Sequence, residues 1–81
     1  MKTVNSIIHR KINKRSARGL AFTDTGIIHI DSRLRGLEHL EIMVHEIIHV
    51  QNDKWSEAKV IGHAKEISAL LYKHGYRRIH L

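Results

Sequence analysis

The spacing of apolar side chains changes along this chain, and the element it predicts changes with it. Leu37, Leu40, Val44, Ile47, Ile48 and Gln51 fall on one stripe at helical intervals. They predict a helix over 37–51, ended by the polar Asn52-Asp53-Lys54. A second helix is predicted over 56–74, with Ser56 as its N-cap and Gly75 as the residue that stops it. Trp55 precedes the cap and is placed to pack on Val60. Before the helices the pattern is that of a hairpin. Leu20-Ala21-Phe22 and Ile27-Ile28-His29-Ile30 are short apolar runs on either side of Asp24-Thr25-Gly26, which is turn chemistry. The stretch from Asp31 to Gly36 reads as a connecting loop.

The two ends are less patterned. Residues 1–18 hold Val4, Ile7, Ile8 and Ile12 among Lys2, Arg10, Lys11, Lys14, Arg15 and Arg18, with no acidic residue. They predict one strand or an irregular strand and turn. Tyr76 to Leu81 is a basic tail with room for a short strand. Together these elements predict an α+β fold in which a small antiparallel sheet packs on two main helices as a single domain over 1–81.

Composition narrows the class. At 81 residues, 42% hydrophobic and without proline, the chain suits one small core and not a disordered segment. No apolar run approaches the roughly 18 residues of a membrane span. The charges scattered through Met1–Arg18 leave no apolar core for a secretory signal, so a cytoplasmic protein is expected. Zero Cys excludes disulfides, thiolate metal sites and cysteine nucleophiles. A fold this small and without disulfides gains most from a metal staple. The chain also carries 8 His.

Three residues in the first helix turn that composition into chemistry. His45-Glu46-Ile47-Ile48-His49 is an H-E-x-x-H motif. At about 100° per residue, the two His differ by about 40° and sit one turn apart, so both imidazoles reach one cation. Glu46 lies about 60° beyond His49, placed to act on a water beside that cation. In a chain this rich in His, the motif arises by chance roughly once in twenty such sequences. Its context adds weight. Ile42, Met43, Val44, Ile47, Ile48 and Val50 surround it, and a segment apolar on all sides is buried. Buried His and Glu need partners, which a metal supplies.

The second helix offers a third ligand. With Glu57 taken as zero, Val60, Ile61, Ala64, Ser68 and Leu71 all lie within about 60° of it. Glu57 thus projects from the middle of the apolar face, in the first turn where the helix dipole favours an anion. His63 falls near about −120° and Glu66 near about 180°, both poorer ligands by the same arithmetic. Two His, one Glu and an open position make a hydrolytic Zn2+ arrangement. In it Glu46 is the general base and a protein or peptide is the substrate.

These residues also carry a resemblance. Asp31, Arg33, Leu34 and Gly36, then His45, Glu46 and His49, then Ser56 and Glu57, then Gly75, Tyr76 and Arg77 resemble the pattern of small phage- and prophage-encoded zincin-like metallopeptidases. The resemblance covers about residues 26–81. It implies a minimal gluzincin-type fold, Glu57 as the third zinc ligand and, for a phage-encoded chain, the host cytoplasm as location. Ser32 stands where that pattern has proline, and Lys54-Trp55 replaces an acidic-leucine pair. A weaker likeness is to SprT-like DNA-associated proteases, which share H-E-x-x-H and basic character.

Several residues remain to be placed. His63, Tyr76, Tyr72 and His29 are candidates to stabilise an oxyanion, and His63 is also the candidate fourth ligand of a closed site. His9, His39, His74 and His80 read as surface residues. The Ile27–Ile30 strand is a candidate edge for pairing with an extended substrate. A formal charge of +6, concentrated at the N-terminus, suggests weak nucleic-acid binding. The alternative function is accordingly a basic DNA-associated or protein-binding module whose zinc is structural.

Overall fold

The hairpin closes through a turn over 23–26, where the Gly26 N–H donates to the Phe22 carbonyl at 2.8 Å. Its strands are β2 (Gly19–Phe22) and β3 (Ile27–Asp31). They are preceded by β1 (Ser6–Arg10) and followed by α1 (Gly36–Gln51) and α2 (Glu57–Lys73). This computed structural model describes residues 2–13 and 17–79. Lys14 and Arg15 of the basic N-terminal segment, and His80 and Leu81 of the tail, lie outside the described residues. No described helix is long and apolar enough to cross a membrane.

The fold is α+β, but the sheet is mixed. Its order is β1-β3-β2, with β2 antiparallel and β1 parallel to β3. The expectation of an antiparallel sheet holds for the hairpin alone. β3 thus lies between two strands that both precede it in the chain. The expectation that Ile27–Ile30 forms an edge is therefore corrected. β3 is central because Ile28 and Ile30, both fully buried, anchor the sheet on the helix α1. β2, which opens with Gly19 and ends in the exposed Phe22, is an edge.

α1 is the middle layer. Ile42, Met43 and Ile47 pack with Val50 on the sheet-side core of Ile28, Ile30 and Leu34. Leu40 packs with Val44 and Ile48 on the other side, against Val60, Ala64 and Leu71 of α2 and Trp55. The single stripe expected on this helix is thus divided between two small cores, and Leu37 is left exposed. This is the physical reason the segment around the H-E-x-x-H motif is apolar on all sides.

Local chemistry sets the ends of the elements. Ser56 Oγ accepts from the Lys59 N–H at 3.2 Å, which is the expected N-cap. At the other end Gly75 takes φ +89°, and the N–H groups of Gly75 and Tyr76 donate to the carbonyls of Tyr72 and Leu71, both at 3.1 Å. That pair of bonds is a Schellman motif and needs the left-handed conformation glycine adopts freely. The tail over 76–79 forms no strand. The loop between β3 and α1 is tied by Arg33, which donates from Nε and Nη2 to the Asp31 carboxylate at 2.9 and 2.6 Å and from Nη2 to the Ile12 carbonyl at 3.0 Å. This arrangement holds the Asp31 carboxyl well below the usual carboxylate range, the Arg33 side chain contributing most.

Candidate metal centre

His45 and His49 lie one turn apart on the middle helix, and Glu57 begins the helix packed against it. Helix packing brings the three together. Nε2 of His45 is 2.9 Å from Glu57 Oε1, and Nε2 of His49 is 3.0 Å from Glu57 Oε2. One donor atom from each residue lies within 4.8 Å of the others, so the group can hold a metal ion. Among the described residues it is the only such cluster of three. The donor set, two imidazoles and a carboxylate, suits a borderline divalent ion. The His side chains are mostly buried, at 18% and 24% exposed, whereas Glu57 is 61% exposed. The pair on α1 is therefore held by packing, and Glu57 closes the group from the solvent side.

Glu46 sits on the sheet side of this group. Its Oε1 is 3.8 Å from His45 Nε2, farther than Glu57. It is one of few buried charged residues. Burial pushes its carboxyl above the usual carboxylate range and Glu57 adds to the rise, while His49 opposes it. The wall over Glu46 is Gly19. A Cβ built there would come within 2.9 Å of both Glu46 Cγ and Ile42 Cγ2. The strand approaches the helix this closely because residue 19 has no side chain. The sequence reading did not single out Gly19. Its signal was a glycine opening an apolar strand run.

Two cavities reach the group. One of about 360 Å³ runs between β2 and the three ligand candidates, lined on the strand side by Gly19, Leu20, Ala21 and Thr23. The other, about 750 Å³, extends from His45 and Glu46 past Arg18, Arg33, Leu34 and Glu38. Arg18, which the sequence reading counted only as basic charge, pairs with Glu38 at 2.6 Å on this cavity.

The remaining candidates lie elsewhere. His63 is exposed beside Trp55, with ring centroids 5.0 Å apart. Tyr72 lies under the Arg77 guanidinium. His29 accepts from Arg10 Nε at 2.9 Å. Tyr76 is 62% exposed and lines a separate cavity. None of these four lines either cavity at the metal group. His74 is exposed as expected. His39 is not a surface residue: it is 4% exposed, and its Nε2 meets that of half-buried His9 at 3.0 Å. No family model matches this chain, and no curated protein or solved structure matches it either.

Proposed function

We propose that this chain is a zinc-dependent metallopeptidase. The observation that carries the reading is the convergence of His45, His49 and Glu57 from two helices beside the buried carboxylate of Glu46. The phage-type zincin resemblance, on its own motif residues, belongs to the same proposal.

Bound by these three residues, zinc would supply Lewis acidity to water and to a peptide carbonyl. The chain's own residues supply the rest. β2 is an edge strand along the 360 Å³ cavity, so an extended peptide pairs with its backbone and lies across the group. Gly19 lets that strand sit close against Glu46. Glu46 takes a proton from the attacking water and delivers it to the leaving amine. Its raised pKa serves both transfers, because a base that is too weak holds no proton to return.

The test begins with metal content. Wild type is expected to bind one zinc per chain, and Glu57→Ala to bind it far more weakly. Glu46→Gln is expected to keep the zinc and lose hydrolysis of a labelled unfolded protein by about 100-fold or more. Zinc retention with no hydrolysis in wild type would favour a structural zinc in a basic DNA-associated or protein-binding module. Absence of zinc would end both readings.

A further inference from the structure

We propose that the substrate of the metal group is an extended segment with a large apolar side chain at every second residue, selected by Leu20 and Phe22 on the outer face of the sheet. This rests on the peptidase reading, which places a peptide strand along the free edge of β2.

The backbone of β2 sets how such a strand sits. The Asp31 N–H donates to the Arg18 carbonyl at 2.9 Å, and the Gly26 N–H donates to the Phe22 carbonyl at 2.8 Å. Backbone groups alternate between the two sides of an antiparallel strand. Those of Arg18, Leu20 and Phe22 therefore point to β3, and those of Gly19 and Ala21 point to the free edge. The Thr23 carbonyl, next along that edge, already accepts from Lys2 Nζ at 3.4 Å. An incoming strand thus has two residues of β2 to bond with.

Side chains alternate with the same period, but between the two faces. Gly19 and Ala21 lie on the helix side, Gly19 against Glu46 and Ala21 on the sheet-side core. Leu20 and Phe22 consequently lie on the outer face. Leu20 is in register with His29 and Phe22 with Ile27, and Ile8 of β1 is in register with His29. The Phe22 ring meets the His29 ring at 66°, with centroids 5.1 Å apart. Ile8, Leu20, Phe22 and Ile27 make this face apolar from one edge strand to the other, and Ile8 and Phe22 are exposed.

The two alternations combine on the incoming strand. Its residues opposite Gly19 and Ala21 are hydrogen-bonded and turn their side chains towards the metal group, where the β2 side chains are small and the 360 Å³ cavity leaves room. Its residue opposite Leu20 takes a non-hydrogen-bonded position, where Cα atoms come within about 4.5 Å and side chains pack most closely. Phe22 meets the next residue on that face. A large apolar side chain is shielded there, whereas a charged one is desolvated by Leu20 and Phe22. One apolar residue in every two is the pattern of a half-buried β-strand, so the edge selects strands from unfolded proteins.

The experiment titrates the full chain carrying Glu46→Gln, so that no peptide is consumed, and follows its backbone amide NMR signals. Two peptides of one composition are compared. In the first, Val and Tyr alternate with Thr and Lys. In the second, the same residues run two apolar, then two polar, so that no two apolar residues are two apart. The alternating peptide is expected to shift the Gly19 and Ala21 signals saturably and to bind about tenfold more tightly than the other. Phe22→Thr, at an exposed strand position, is expected to remove most of that difference and leave the second peptide unchanged. Leu20→Thr repeats the comparison should Phe22→Thr melt. The proposal is overturned if the two peptides bind alike, if both variants keep the preference, or if the shifts fall on Ser6–Arg10 at the other edge of the sheet. Selective binding at β2 with no hydrolysis by wild type would count against the peptidase reading alone. Hydrolysis of both peptides at equal rates would count against the selection alone.

Discussion

At the scale of single residues, Gly19 and Asp31 make the sharpest predictions. Gly19→Ala drives a methyl to within 2.9 Å of Glu46 and Ile42, where neither the strand nor the middle helix can retreat freely. Overpacking of this kind costs about 1–3 kcal/mol. Chemical denaturation should show that loss. Under the proposed peptidase function, hydrolysis should fall further than zinc affinity, because the displaced group would be the base and not a ligand. Asp31 predicts a pH dependence. Its folded-state pKa is depressed by Arg33, so its contribution is present above the unfolded value of about 4 and is lost as pH falls towards the folded one. Asp31→Asn should therefore be less stable than wild type at neutral pH, and the gap should narrow in unfolding curves taken progressively below about pH 4.

At the scale of elements, α2 is defined by its two ends more than by its interior. Its cap and its Schellman motif were both legible as Ser56 and Gly75. Ser56→Ala is expected to cost about 1 kcal/mol. Gly75→Ala, at φ +89°, is expected to cost about 1–2 kcal/mol. Thermal melts of the two variants and their double would show near-additive losses, since the sites lie at opposite ends of the helix. α1 behaves differently. Its N-terminus has no side-chain cap, and its position comes from the two cores it separates and from the Asp31–Arg33 lock before it.

At the scale of the whole molecule, the metal group joins two helices that also share the small core of Val44, Ile48, Val60 and Ala64. Zinc at a thousandfold excess over its dissociation constant would stabilise the fold by about 4 kcal/mol. In a domain of this size each kcal/mol is worth roughly 4–8 °C. A chelator should thus lower the melting temperature of wild type by well over ten degrees and leave Glu57→Ala nearly unchanged. An equal chelator effect on both proteins would place the metal elsewhere.

How much of this was readable in the chain depends on the range of the interaction. The H-E-x-x-H pair, the Ser56 cap, the Trp55 staple, the hairpin turn and the direction of Glu57 are set by residues within one or two turns of each other. Periodicity and local hydrogen bonding determine them, so the sequence by itself determined both helices, the hairpin and the three metal-ligand candidates. The parallel pairing of β1 joins residues 21 apart and the contact of Gly19 with Glu46 joins residues 27 apart, and the central place of β3 and the division of α1 between two cores likewise depend on segments beyond local reach. No local pattern encodes which edge β1 takes, because its exposed Ile7 and Ile8 would suit several registers. The meeting of His9 with His39 is of the same kind. Only the tertiary structure decided these, through the requirement that one small sheet cover one face of a helix that must be buried on both sides.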